Sequence, residues 1–153
     1  MKIRIEIDTE LLDDEVIIRC KELDEKVMSL QNLLSEHGNK DKCILLTKGD
    51  TEYYVPIKDI YFFETEGKTI RAHTADKIFD TPFKLYELEE MLPGGFMRIS
   101  KSTIANLDYI YSITRNLTAS SVVEFSESNK KALVSRSYYK AVVERLRIRR
   151  MGK

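Results

Sequence analysis

The chain has 153 residues, of which 42% are hydrophobic and 33% charged, a composition ordinary for a globular domain and large enough to bury a core. No run approaches the ~18 apolar residues that span a bilayer, and the opening MKIRIEID alternates apolar with charged residues, unlike a signal peptide. Cys20 and Cys43 lack CxxC spacing, so a reduced, cytoplasmic setting is expected.

The formal net charge is zero, but it is unevenly placed. Residues 1–40 sum to −4, residues 41–95 to −4 and residues 96–153 to +8. Only the last third is prepared to meet a polyanion. Charge alone leaves a second reading open, in which those cations pair with acids of the same molecule.

Residues 1–40 read as a small β-β-α extension. Ile3, Ile5 and Ile7 alternate with Lys2, Arg4, Glu6 and Asp8, which predicts a half-buried strand. A polar turn at Asp13-Asp14 leads to a second apolar run, Val16 to Ile18. Lys21 to His37 is expected as a helix stopped by Gly38. Its Leu23, Val27, Leu30 and Leu34 fall at the a/d spacing of a pairing seam. Two heptads are too short to pair alone, so the seam covers either the ribbon or a second subunit. Residues Gly38 to Lys42 read as a linker.

Residues 43–150 are mainly strands. Cys43–Thr47 and Tyr53–Ile57 flank a Gly-containing turn, and Ile60–Glu64 and Thr69–Thr74 flank Thr65-Glu66-Gly67-Lys68. Lys77–Asp80 is a short strand. Thr81 is expected to cap a helix with Pro82 at its first position and Leu85, Leu88 and Leu92 as its stripe. Pro93-Gly94-Gly95 ends it. Phe96–Ser100, Tyr109–Thr114, Ser121–Phe125 and Lys131–Ser135 follow as strands. A last helix carries Tyr139, Val142, Val143 and Leu146 on one face, and its far side and tail hold five cations.

Two of these strands end in a cation set among hydroxyls. Lys101 stands between Ser100 and Ser102, and Arg136 between Ser135 and Ser137. A long cation can reach an anionic surface while hydroxyls and backbone N–H groups hold phosphate. Tyr138 and Lys140 adjoin Arg136; one of the two rings Tyr138 and Tyr139 is expected to pack and the other to lie on a nucleic-acid backbone. Tyr61-Phe62-Phe63 reads as core, with Tyr61 and Phe63 on one strand face, rather than as a stacking platform.

Catalysis finds no support. His37 sits at a helix end and His73 in a strand, each without a nucleophile or second ligand nearby in sequence, so no enzyme activity, metal or cofactor is expected. Gly94-Gly95 follows a helix, the wrong order for a phosphate cradle. The Asp13-Asp14 pair looks like the start of a phosphoacceptor receiver domain, but too little chain follows before the strands begin. The sequon at Asn116 reads as a hairpin turn.

Three motifs then stand together in order: VPIKDIYFFETEGKTIRAHT, KLYELEEMLPGGFMRISKSTIANLDYI and VSRSYYKAV. From about Cys43 to Leu146 the chain resembles the LytTR DNA-binding domain of bacterial response regulators. The resemblance implies a mainly β fold, α+β overall, of antiparallel sheets with few short helices, here joined to the N-terminal β-β-α extension in place of a receiver domain. It implies that loops at one edge enter successive major grooves on one face of the duplex. Carried over by position, Lys68 with Thr69 takes one major groove, Lys101 with Ser102 the backbone or intervening groove, and Arg136 the other major groove. Some family members present His or Asn at the first two loops. Lys68 and Lys101 depart from that, which leaves contact with phosphate or with bases open. Arg136 suits bidentate contact to guanine. Asn106 reads as structural, pairing with backbone.

The expected protein is therefore a transcriptional regulator that binds double-stranded DNA as a homodimer through residues 1–40, with no small-molecule substrate. The resemblance also allows a membrane protein as its regulator. The alternative is a protein-interaction module working with such a membrane partner, its DNA binding weak or lost.

Overall fold

The computed structural model describes residues 2–10, 15–39 and 42–151. The Asp13-Asp14 turn and part of the expected linker lie outside them. Among the described residues no helix is long and apolar enough to cross a membrane.

The two expected N-terminal strands do not form. Residues 2–10 and 15–20 pair with no strand, and Ile3, Ile5 and Ile7 are 88, 84 and 89% exposed. Alternation marks a segment able to pair, but a strand with no partner leaves its side chains and backbone to water. The first helix, α1, spans Glu25–Asn39, later than expected at both ends. Asp24 decides its start, because Asp24 Oδ1 accepts the Val27 N–H at 2.9 Å. The helix continues through Gly38 rather than stopping there. Val27, Leu30 and Leu34 remain half-buried on one face, whereas Leu23 precedes the helix and is exposed. Among the described residues, none of α1 joins either hydrophobic core.

From Cys43 the chain forms ten antiparallel strands in two sheets. The first run is β1 (Cys43–Lys48), β2 (Thr51–Pro56), β3 (Phe62–Glu66), β4 (Thr69–His73) and β5 (Ile78–Thr81). Helix α2 (Leu85–Met91) separates these from β6 (Phe96–Ser100), β7 (Thr103–Asn106), β8 (Ile110–Thr114), β9 (Ser121–Phe125) and β10 (Lys131–Val134). The closing helix α3 runs Arg136–Met151. The larger sheet is ordered β2-β1-β5-β4-β3-β7-β6 and the smaller β10-β9-β8. This is the expected mainly β architecture, with one strand more than the sequence reading finds, β7. Thr81 does not cap α2. Its hydroxyl accepts the Phe83 N–H at 3.2 Å, and the helix opens after Lys84, whose N–H donates to Glu87 Oε1 at 3.1 Å.

Two cores flank the larger sheet, and β3 serves both. Successive side chains on a strand point to opposite faces. Phe62 therefore enters the core closed by the smaller sheet and α3, with Ile99, Val123, Val134 and Val142. Phe63 enters the core under α2, with Leu46, Ile60, Ile104 and Leu88. All three aromatics of the Tyr61-Phe62-Phe63 run are buried, as expected of core. Tyr61, however, lies with Phe62 and not with Phe63, because the strand begins only at Phe62. Tyr61 stacks on Tyr109 at 4.1 Å.

Asn106 closes β7 in the structural role expected of it. It is 4% exposed; its Nδ2 donates to the Ile60 carbonyl at 3.1 Å and its Oδ1 accepts the Asp108 N–H at 3.1 Å. Both ends of the amide are thus satisfied by backbone.

Candidate nucleic-acid interface

Three chain reversals meet along one edge of the molecule. The β3–β4 reversal is a two-residue turn, Gly67-Lys68, with Gly67 at φ +60°. Glycine at the first turn position is what a II′ hairpin requires, and it leaves Lys68 at the tip. The β6–β7 reversal is Lys101-Ser102, also two residues. Ser100 Oγ accepts the Ser102 N–H at 3.2 Å and lies 3.3 Å from Ser102 Oγ. Arg98 Nη1 donates to the Lys101 carbonyl at 2.6 Å, so this tip is braced from below. The third reversal is Ser135, where β10 passes into α3.

Backbone bonds set these tips side by side. Strand β3 pairs with β7, Glu64 opposite Thr103, and the Thr65 N–H donates to the Ser102 carbonyl at 2.9 Å. The Ser135 N–H donates to the Ile99 carbonyl at 3.0 Å, which seats the β10–α3 junction against β6. The order along the edge is therefore Lys68, Lys101, Arg136.

Arg136 is not in a turn, as the sequence reading places it. It opens α3, because the Ser135 carbonyl already accepts the Tyr138 and Tyr139 N–H groups at 3.0 and 3.1 Å. Ser137 is exposed, its hydroxyl 3.5 Å from that of Ser135. Thr69, Ser102 and Lys140 are exposed, while Tyr138 and Tyr139 are both half-buried against the first core. One ring therefore does not pack at the expense of the other.

The cations of the basic third divide into two groups. Arg149 pairs with Asp108 at 2.8 Å, Arg98 with Glu89 at 3.1 Å and Lys131 with Glu124 at 3.2 Å. Arg150 Nη2 donates to the carbonyls of Leu107, Asp108 and Ile110, and Arg145 to that of Gly94. Lys101, Arg136 and Lys140 have no side-chain partner among the described residues and are exposed, as is Lys68, which lies outside this third. Both readings of the charge asymmetry thus hold, for different residues.

Sequence reasoning misses Arg115, at the end of the β8–β9 hairpin. Its guanidinium lies 5.1 Å from the centre of the Tyr139 ring, a cation–π contact. It brings another exposed cation beside the first turn of α3. The signal that finds Lys101, a cation just past a strand, applies equally to Arg115. The nearby Asn116 does lie in a turn, its Oδ1 accepting the Thr118 N–H at 3.1 Å.

The root of the β3–β4 hairpin also carries perturbed groups. His73 is held down to about 4, foremost by burial and then by the charges of Lys130 and Arg71. Burial and the neighbouring Glu66 push the Glu64 carboxyl up. Glu66 pairs with Arg71 at 2.9 Å.

The family model of the LytTr DNA-binding domain matches residues 50–147. The chain belongs to the LytTR family. This LytTR chain is 28% identical over 150 residues to an uncharacterized HTH-type transcriptional regulator of Staphylococcus aureus strain NCTC 8325, covering 97% of this chain and 99% of the relative. A counterpart from strain MRSA252 is 27% identical with the same coverage. The fold is similar to the solved LytTr DNA-binding domain of a response regulator from Bacillus cereus, with a TM-score of 0.62 and 22% identity over 69% of this chain and 95% of that one. The HTH label of the relatives has no counterpart in the LytTR fold seen here. Among the described residues no two α-helices follow one another, since strands β1–β5 separate α1 from α2 and β6–β10 separate α2 from α3. Membership of this DNA-binding family, a non-enzymatic regulator type, supports DNA as the partner of this chain.

Proposed function

We propose that this LytTR chain regulates transcription by gripping duplex DNA with the edge formed by Lys68, Lys101 and Arg136. The observation that carries the reading is that three adjacent tips each present an exposed cation with no side-chain partner among the described residues. Lys68, flanked by Thr69, and Arg136 take major grooves. Lys101 and Ser102 hold the backbone between them. Arg136 is the principal base reader, because a guanidinium can donate twice to O6 and N7 of guanine. Its place on the first turn of α3 adds the exposed N–H groups of a helix start for a neighbouring phosphate. Lys140 and Tyr138 flank it on the backbone.

Two chains would pair through residues 1–40, so that two half-sites lie one or more helical turns apart. Support comes from Ile3, Ile5 and Ile7, which alternate as a strand does yet pair with no strand among the described residues. The same exposed segment suits a membrane-protein regulator, and a full-length protein that stays monomeric at micromolar concentration would favour that reading.

Selection of bound fragments from random duplex DNA supplies the operator, and affinity for it can then be compared between the wild type and Arg136→Ala. The substitution should cost about 1–3 kcal/mol and relax preference at one base position. Unchanged affinity and preference would rule out this groove assignment.

A further inference from the structure

Beneath the Gly67-Lys68 tip, on the side facing the first core, the β3–β4 hairpin gathers a second set of groups. His73 is 5% exposed and stacks on Phe62 at 4.1 Å. Neither of its buried ring nitrogens has a hydrogen-bond partner. Its Nε2 stands 3.1 Å from Glu64 Oε1, a close approach without hydrogen-bond geometry. Glu66 lies two residues further along the same strand face, and donor atoms of Glu64, Glu66 and His73 all fall within 4.8 Å of one another. A buried imidazole whose Nδ1 has no partner among the described residues and whose Nε2 faces a carboxylate out of hydrogen-bond alignment is unusual and calls for a ligand.

We propose that Glu64, Glu66 and His73 bind a divalent first-row transition ion of the zinc or manganese class. One imidazole nitrogen and two carboxylate oxygens are the donor mixture such ions take, with the remaining positions left to water. Donors bonded to an ion at ~2.0–2.2 Å stand about 3 Å apart, the separation His73 and Glu64 already have. A close approach of the two donors without hydrogen-bond alignment is what an ion held between them would give. The Glu66 side chain is 44% exposed and paired to Arg71 through Oε2, so a rotation that keeps this contact can turn Oε1 toward the ion. Arg71, 2.9 Å from Glu66 Oε2, orients that carboxylate as an outer-shell partner does. Arg71 and Lys130 also bring positive charge to the cluster, which weakens the ion's hold and favours reversible occupancy.

The site lies at the root of the Lys68 turn and beside the β6–β7 tip, through the Glu64–Thr103 pairing. An ion there offsets two carboxylates close to the edge that meets DNA, and it pins the hairpin that presents Lys68. This coupling rests on the DNA reading above; ion binding itself does not.

The test uses full-length protein stripped with a chelator and, without DNA, titrated with Co2+ by visible absorption and with Zn2+ and Mn2+ by calorimetry. One ion per chain is expected. Binding should be lost in the Glu64→Gln, Glu66→Gln double variant, whose fold is checked by circular dichroism. A Cys20→Ser, His37→Gln, Cys43→Ser variant, which removes the other soft donors, should bind as the wild type does. Absence of stoichiometric binding, or its persistence in the double glutamine variant, would overturn the site. The ion should also raise affinity for the selected operator several-fold in wild type and not in the double variant; equal affinity with and without the ion would overturn the coupling. A protein that binds the ion but no DNA would defeat the three-tip reading and leave this site standing.

Discussion

Lys101 and Arg136 both lack a side-chain partner among the described residues, yet they can convey different things to a duplex. An ammonium group is a point charge, satisfied by any phosphate, whereas a guanidinium fork matches the edge of guanine. Lys101→Ala should therefore weaken binding to all sequences alike. It should also lower the slope of log K against log salt by about 0.9, measured by fluorescence anisotropy from low to physiological salt. A change in base preference in that variant would show that Lys101 reads bases after all. Asn106 is the counter-example, a polar residue with nothing to offer DNA. Its amide satisfies two backbone groups deep in the sheet, so Asn106→Leu should cost about 1–3 kcal/mol in urea denaturation, with both backbone groups left unpaired.

At the scale of elements, the gaps in the sequence reading have physical causes. The paired β-hairpins are legible because apolar alternation and a glycine turn coincide, as at Gly67. Strand β7 is not, because Thr103–Asn106 is buried on both sides and shows no alternation. The two N-terminal strands fail for the opposite reason: Ile3, Ile5 and Ile7 alternate, but pairing needs a second strand and the described residues supply none. Arg136 is misplaced in a turn because it directly follows the expected strand Lys131–Ser135, whereas the Ser135 carbonyl already closes the first turn of α3. The cluster of His73 with Glu64 and Glu66 is invisible in one dimension, since the donors face one another across a ladder. The N-terminal element yields its own prediction. Replacing Ile3, Ile5 and Ile7 together by Ser should shift full-length protein from dimer to monomer in sedimentation while leaving the melting of residues 43–150 unchanged. A dimer that persists would move the interface elsewhere, α1 first.

For the molecule as a whole, two cores are joined through β3, and through its neighbour β7, which gives Ala105 to one and Ile104 to the other. Phe62 and Phe63 are both at or below 2% exposure, and each belongs to a different cluster. Phe62→Ala and Phe63→Ala should each cost about 3–5 kcal/mol. Because β3 joins the clusters, each variant should still unfold in one transition, with near-ultraviolet circular dichroism and tyrosine fluorescence coinciding. Separate transitions would mean that the cores melt independently.

That shared strand also constrains how the sequence can change in length. A single residue inserted within Phe62–Glu66 would reverse the phase of everything beyond it, sending a glutamate toward the packing under α2 and the phenylalanine away from its own. Insertion at the Gly67-Lys68 tip disturbs no such phase, since the ladder on either side is already closed. Descendants of this chain should therefore vary in length at the tips and not in the strand behind them. The surface that meets the ligand can then be rebuilt by insertion and deletion while the interior keeps its reading frame.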